Sequence, residues 1–62
     1  MKEERIYLYK DRKYKFISIG RMKIGQLWID CIIYKSLNDR LYYVREELDF
    51  YEKFKEFIDG TN

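Results

Sequence analysis

Gln26–Lys35 reads QLWIDCIIYK, and the fold turns on how this stretch is read. At a period of two, Leu27, Ile29, Cys31 and Ile33 fall on one side, and Trp28, Asp30, Ile32 and Tyr34 on the other. Both sets are largely apolar. That predicts a strand in the middle of a small sheet, packed on one side and at least partly covered on the other. Period alone leaves a buried helix of the same length open, but the β-branched and aromatic content points to strand.

Upstream, Arg5–Lys10 (RIYLYK) and Lys13–Gly20 (KYKFISIG) both alternate and favour strand. A two-residue loop at Asp11-Arg12 would set Tyr9 opposite Tyr14 and Tyr7 opposite Phe16, an aromatic ladder on one side. Ile6, Leu8 and Ile17 would share the other side with Lys15. Gly20 and Gly25 bracket a connection and are read as the turning points at its two ends. A phosphate loop fails there, because Gln26-Leu27 follows Gly25 where a Lys-Ser/Thr pair is required. Downstream, a two-residue loop at Asn38-Asp39 pairs Tyr34 with Tyr43, Ile33 with Val44 and Ile32 with Arg45.

From Glu46 the period changes. Leu48, Tyr51, Phe54 and Ile58, flanked by Phe50 and Phe57, make a helical stripe. Asp49 followed by Glu52 has the form of a capping box, with helical turns possible from Glu46, and Gly60 can end the helix. The expected organisation is one domain over 1–62: a frayed leader at 1–5, an antiparallel sheet at 5–45 and a helix at 46–59.

Sixty-two residues make a marginal core, because chains this short bury only about 60% of their unfolded surface. One cysteine and no histidine exclude an intramolecular disulfide and an ordinary zinc site, and no metal or cofactor is expected. Stability must come from dense packing of seven Tyr, four Phe and one Trp, from self-association, or from both. A lone cysteine suits a reducing compartment, and no apolar run is long enough to span a bilayer, so a cytoplasmic location without a membrane partner is expected. The net charge of +2 hides an asymmetry. Residues 1–45 carry eleven Lys/Arg against five acids (+6), and residues 46–62 carry two Lys against six acids (−4).

Enzymatic activity is not expected. With no histidine, nucleophile motif or metal constellation, acid–base chemistry would have to rest on Asp/Glu, Lys or Tyr. Cys31, in mid-strand, reads as a buried small hydrophobe. Asp30 lies on the Trp28 side. Its charge needs a partner there, either Arg45 through the Ile32 pairing or a bound protein.

The order Ile6-Tyr7-x-x-Lys10-Asp11-x-x-Tyr14, Ile32-Ile33-Tyr34-x-x-Leu37, Tyr43-Val44-Arg45-x-x-x-x-Phe50 resembles a family of small bacterial and phage domains of unknown function. The resemblance covers roughly residues 6–54. It implies an α+β fold: a small curled, SH3-like antiparallel sheet of about four strands with one short C-terminal helix. Asp11 stands where that family commonly has glycine, and Glu46 where it commonly has proline, which bears on the first turn and the helix start.

Two functions follow as expectations. The first is a non-catalytic protein-binding module, also forming a homodimer, that contacts its partner through Trp28, Asp30, Tyr34, Leu41, Tyr43 and Arg45. The helix covering the Leu27/Ile29/Ile33 side would leave this side free; the reverse packing would exchange the roles. A short chain of this kind resembles the small proteins that phages use to inhibit host enzymes or defence systems by occupying a surface. The alternative is a small basic nucleic-acid-binding module using Lys10, Arg12, Lys13, Lys15, Arg21 and Lys23.

Overall fold

The structure, a computed structural model, describes residues 4–58. In chain order its elements are β1 (Ile6–Tyr9), β2 (Arg12–Ile24), β3 (Leu27–Ser36), β4 (Tyr42–Glu46), α1 (Glu47–Lys53) and β5 (Lys55–Glu56). The strands form one antiparallel sheet in the order β4-β3-β2-β1-β5. This is an α+β arrangement with one short helix and one strand more than the four expected.

β3 is an interior strand. β2 pairs with it from Tyr14↔Ser36 to Ile24↔Leu27, and β4 from Cys31↔Glu46 to Lys35↔Tyr42. Its two halves differ in cover. Cys31, Ile32, Tyr34 and Ser36 are buried, whereas Leu27 is 68% and Trp28 62% exposed. The expectation of cover on both sides is thus corrected for residues 27–30. β4 reaches no further than Cys31 because the chain leaves the sheet after Glu46 to form α1.

The turns follow backbone chemistry. Lys10 (φ 53) and Asp11 (φ 64) are both left-handed and form the two-residue turn between β1 and β2. Tyr7 therefore faces Tyr14, and Tyr9 faces Arg12, two residues away from the expected register. The shift lets the Arg5 carbonyl accept the Phe16 N–H at 2.8 Å and seats the Arg5 guanidinium 4.3 Å from the Phe16 ring centroid. A slip of two preserves the facing, so Tyr7, Tyr9, Tyr14 and Phe16 still share a side. Arg5 is thereby anchored, while residues 1–3 of the expected frayed leader lie outside the described residues.

Only one of the two glycines turns the chain. Gly25 (φ 61) occupies the tip of the β2–β3 hairpin, where glycine alone takes a positive φ without strain. Gly20 lies within β2, and a Cβ there would come within 3.0 Å of Ile33 Cδ1. The expected connection is therefore strand, and β2 and β3 form one long hairpin. Thirteen residues of β2 extend roughly 43 Å at strand rise, which accounts for the longest molecular dimension of 47 Å.

The β3–β4 register matches expectation at Tyr34↔Tyr43, Ile33↔Val44 and Ile32↔Arg45. Its loop is longer than the two residues predicted. Ser36 N–H donates to the Leu41 carbonyl and Arg40 N–H to the Ser36 carbonyl, both at 2.9 Å, enclosing four residues with Arg40 left-handed. The buried Ser36 hydroxyl accepts the N–H groups of Asn38 and Asp39 at 3.1 and 3.3 Å.

The core lies on the side of the sheet that carries Ile32 and Tyr34. Tyr7, Ile32, Tyr34, Phe50 and Phe54 form it, with Tyr9, Tyr14 and Phe16 packed around them. The helix thus covers the Trp28/Ile32 side of β3, the reverse of the packing that would have left that side free. Its buried residue is Phe50, whose ring stacks at 4.4 Å on that of Phe54, the buried residue that follows the helix, whereas Leu48 and Ile58 are each 76% exposed. The expected stripe and the 46–59 span are both corrected. α1 ends at Lys53, Phe54 turns to extended backbone (φ −97, ψ 135), and Lys55–Glu56 pairs with Leu8 and Tyr7. Glu46 makes no side-chain cap bond, and Asp49 lies inside the first turn rather than capping it. Asp59 and Gly60 lie outside the described residues.

Two substitutions test this account by urea denaturation followed by circular dichroism. Phe50→Ala removes a side chain with no exposure from a small core and is expected to cost about 3–5 kcal/mol, enough to unfold the chain. Lys10→Asn with Asp11→Gly gives the two left-handed positions their preferred residues and is expected to stabilise by roughly 1 kcal/mol; no gain would argue against this turn.

Candidate binding surface

The six residues expected to form one contact surface fall into three places. Tyr34 is buried at the centre of the core, stacked on Tyr43 at 5.9 Å and edge-on to Phe54 at 5.1 Å. Arg45 is half-buried beside it. Its Nε donates to the Tyr34 hydroxyl at 3.2 Å and its Nη1 to Asp49 Oδ2 at 2.6 Å, and its guanidinium lies 5.3 Å from the Phe54 centroid. Asp49 also accepts from Lys53. These residues clip the helix to the sheet. Leu41 and Tyr43 stand at the entry to β4, with Leu41 exposed and the Tyr43 hydroxyl donating to Asp39 Oδ2 at 2.6 Å.

Trp28 and Asp30 lie at the other end of β3. There β2 and β3 project past the body as a two-stranded arm, since β4 stops opposite Cys31 and β1 pairs with β2 only over Arg12–Lys15. Asp30 pairs with Arg21 across the arm at 3.2 Å, not with Arg45 as expected. β2 runs directly opposite Asp30, whereas Arg45 is opposite Ile32 and turned to Asp49. Trp28 faces Lys23, whose Nζ is 5.9 Å from the ring. A shallow cleft of about 270 Å³ separates this part of β3 from the start of α1, lined by Trp28, Ile29, Asp30, Glu46, Glu47 and Leu48. Leu48 and Ile19, both largely exposed, border the Trp28 side without having been expected there. Leu48 had been assigned to the core by its helical period, and the only signal to the contrary was the neighbouring Phe50–Phe54 pair at the same spacing.

The six cations of the nucleic-acid alternative do not share a face. Lys13 and Lys15 pair opposite Leu8 and Ile6 on the outer side, whereas Arg21 and Lys23 lie on the inner side of the arm with Asp30 and Trp28. Most are already engaged. Lys10 lies 5.3 Å from the Tyr9 ring, Lys13 4.6 Å from Phe57, and Lys15 3.3 Å from Glu4 Oε2. Arg12 faces Tyr9 at the end of the first hairpin.

Cys31 is buried in β3 with its thiol 3.3 Å from the Ile29 carbonyl. Among the described residues no group of three or more His, Cys, Asp or Glu side chains is placed to hold a metal, and no helix is long and apolar enough to cross a membrane. Comparison of the chain with models of protein families, with curated proteins and with solved structures returned no match.

Two carboxylates make the body sensitive to acid. Hydrogen bonds from Lys53 and Arg45 hold the Asp49 carboxyl below the usual carboxylate range, and those from the Tyr43 hydroxyl and the Leu41 N–H do the same for Asp39. A group whose pKa is depressed on folding stabilises the protein above its unfolded value of about 3.9 and loses that contribution as pH falls through the folded value. Stability is therefore expected to drop below about pH 4. Asp49→Asn should flatten that acid limb while lowering stability at neutral pH, as read by thermal melts at a series of pH values.

Proposed function

We propose that this chain is a non-catalytic binding protein that works by protein–protein contact, using the Trp28 side of the β2–β3 arm as its contact surface. The carrying observation is Trp28 itself, 62% exposed on a projecting ribbon. Trp is the residue type most enriched among interface hot spots, and a core this short of apolar material has a use for every large ring. Around it Ile19 and Leu48 add apolar area, while Arg21, Lys23 and Asp30 supply a charged rim.

An antiparallel meander whose last strand returns beside the first, after a short helical stretch, supports the SH3-like reading of the fold. The connection from β4 to β5 has only eight residues, seven of them helical, so it crosses from one margin of the sheet to the other with little slack. Such a scaffold flanks the base of the arm with β1 and β4 and leaves its far end open. Occupying a surface is all that an inhibitor of the phage type requires, and this is the form of binding protein the reading favours. Leu41 and Tyr43, at the opposite end of β3, belong to a second exposed area and are not needed for it.

The test is capture of a target from lysate of the cells in which the protein acts, with wild type and Trp28→Ala as paired baits. A stoichiometric protein held by wild type and lost by Trp28→Ala is expected, with folding stability changed by no more than about 0.5 kcal/mol. Equal capture by both baits, or no stoichiometric protein on either, overturns the proposal.

A further inference from the structure

The two sides of the arm differ in kind. On the side away from Trp28, the strand pairing lays out Ile24 beside Leu27, Met22 beside Ile29, Gly20 beside Cys31, and Ile33 beside Val44. Gly20 and the buried Cys31 give this strip a low waist, part of a depression of about 250 Å³ between Met22 and Val44. Arg21 also borders that depression, but it pairs with Asp30 and belongs to the Trp28 side; no charged residue belongs to the strip itself from the tip to Ile33. Lys15 and Lys35 close its far end, and Glu46 lies at its margin on β4.

We propose that this outer strip is the interface of a symmetric homodimer, in which two copies pack sheet on sheet through Ile24, Leu27, Met22, Ile29, Ile33 and Val44. The inference deepens the reading of the chain as a contact protein, but concerns the face opposite Trp28. Three observations select a second copy as the occupant. The first is charge: an isologous interface sets each patch against itself, and an uncharged strip meets itself without like charges opposed, while its Lys and Glu stay at the rim.

The second is area. Met22, Ile24, Val44 and Leu27 are 36–68% exposed and Ile29 and Ile33 are half-buried, which leaves on the order of 500 Å² of apolar surface per copy, at the upper end of patches on monomers. Two copies then bury about 1,000 Å², the lower bound for a specific interface.

The third is necessity. A two-stranded ribbon is marginal in water without a further layer. The arm needs that layer in every molecule, whether or not a target is present, and a second copy is always available.

Sedimentation equilibrium of the full chain over nanomolar to high-micromolar concentration tests the proposal. Wild type is expected to show twice the chain mass at the upper concentrations. Leu27→Glu with Val44→Glu should weaken the dimer by roughly a hundredfold or more, while Trp28→Ala leaves it intact. Wild type that is monomeric throughout overturns the dimer and leaves the Trp28 surface standing. A dimer lost on Trp28→Ala but kept by the double variant overturns the assignment of faces. Should the double variant fail to fold by circular dichroism, a photo-cross-linking residue at Ile24, at the arm tip, decides instead. A covalent dimer formed there but not from the same residue at Glu52 supports the interface, and its absence overturns it.

Discussion

Phe50 resting on Ile32 and Tyr34 is the contact on which the rest of the structure depends. Phe50 and Ile32 have no solvent exposure, and the Phe50 ring meets Tyr7 at 5.0 Å, Tyr34 at 5.2 Å and Phe54 at 4.4 Å. One side chain thus touches β3 and β1, the strands on either side of the central β2, together with the residue that follows its own helix. α1 carries it there because it crosses from β4, at one margin, to β5, at the other. Without that crossing the aromatic side of the sheet faces water. Seven helical residues are too few to be stable alone, so helix and sheet hold each other in place.

Polar groups fix the position of that contact. Arg45 reaches the Tyr34 hydroxyl from β4 and Asp49 from α1, and Lys53 shares the same carboxylate one turn on. Each pair is modest, as partly exposed ion pairs are. Their effect is orientation: they set the angle at which α1 leaves β4, and thereby where Phe50 lands. At the opposite margin, Arg5 donates to the Tyr7 hydroxyl at 2.6 Å and lies over Phe16, supplying the buried tyrosine with its polar partner.

Much of this was legible in the residues, and the misreadings have physical causes. The β3–β4 register was readable because Tyr34/Tyr43 and Ile33/Val44 are like pairs on opposite sides, so a slip of one residue would mix the sides. The β1–β2 register was not, since its aromatic side is uniform and tolerates a slip of two; the choice was made by Lys10 and Asp11 accepting left-handed backbone. Gly20 was misread as a turn because a glycine that admits a neighbouring side chain looks, in sequence, like one that bends the chain. The helix was drawn too long because Phe54, Phe57 and Ile58 continue its period, while pairing with β1, invisible locally, takes Lys55 and Glu56 into the sheet. The candidate site suffered from the same two-sidedness that identified β3. Alternation separates its sides but does not say which one the helix covers, or that cover ends halfway along.

That halfway point connects fold to function. A core built on one short helix covers the sheet only as far as the helix reaches, and β4 stops at the same level because the chain must leave it to make that helix. The arm beyond is therefore a consequence of the way the body closes, and its exposed side chains divide by side. The uncharged outer strip suits a copy of itself; the inner side, with Trp28 between Lys23 and the Arg21–Asp30 pair, does not, because its cations would oppose one another. Back-to-back packing through the outer strip would send the two Trp28 surfaces in opposite directions. A dimer built that way could not reach two adjacent sites on one target, and each copy would meet a target molecule of its own. Avidity arises only where the targets are themselves clustered or repeated, with spacing set by the thickness of the two packed sheets.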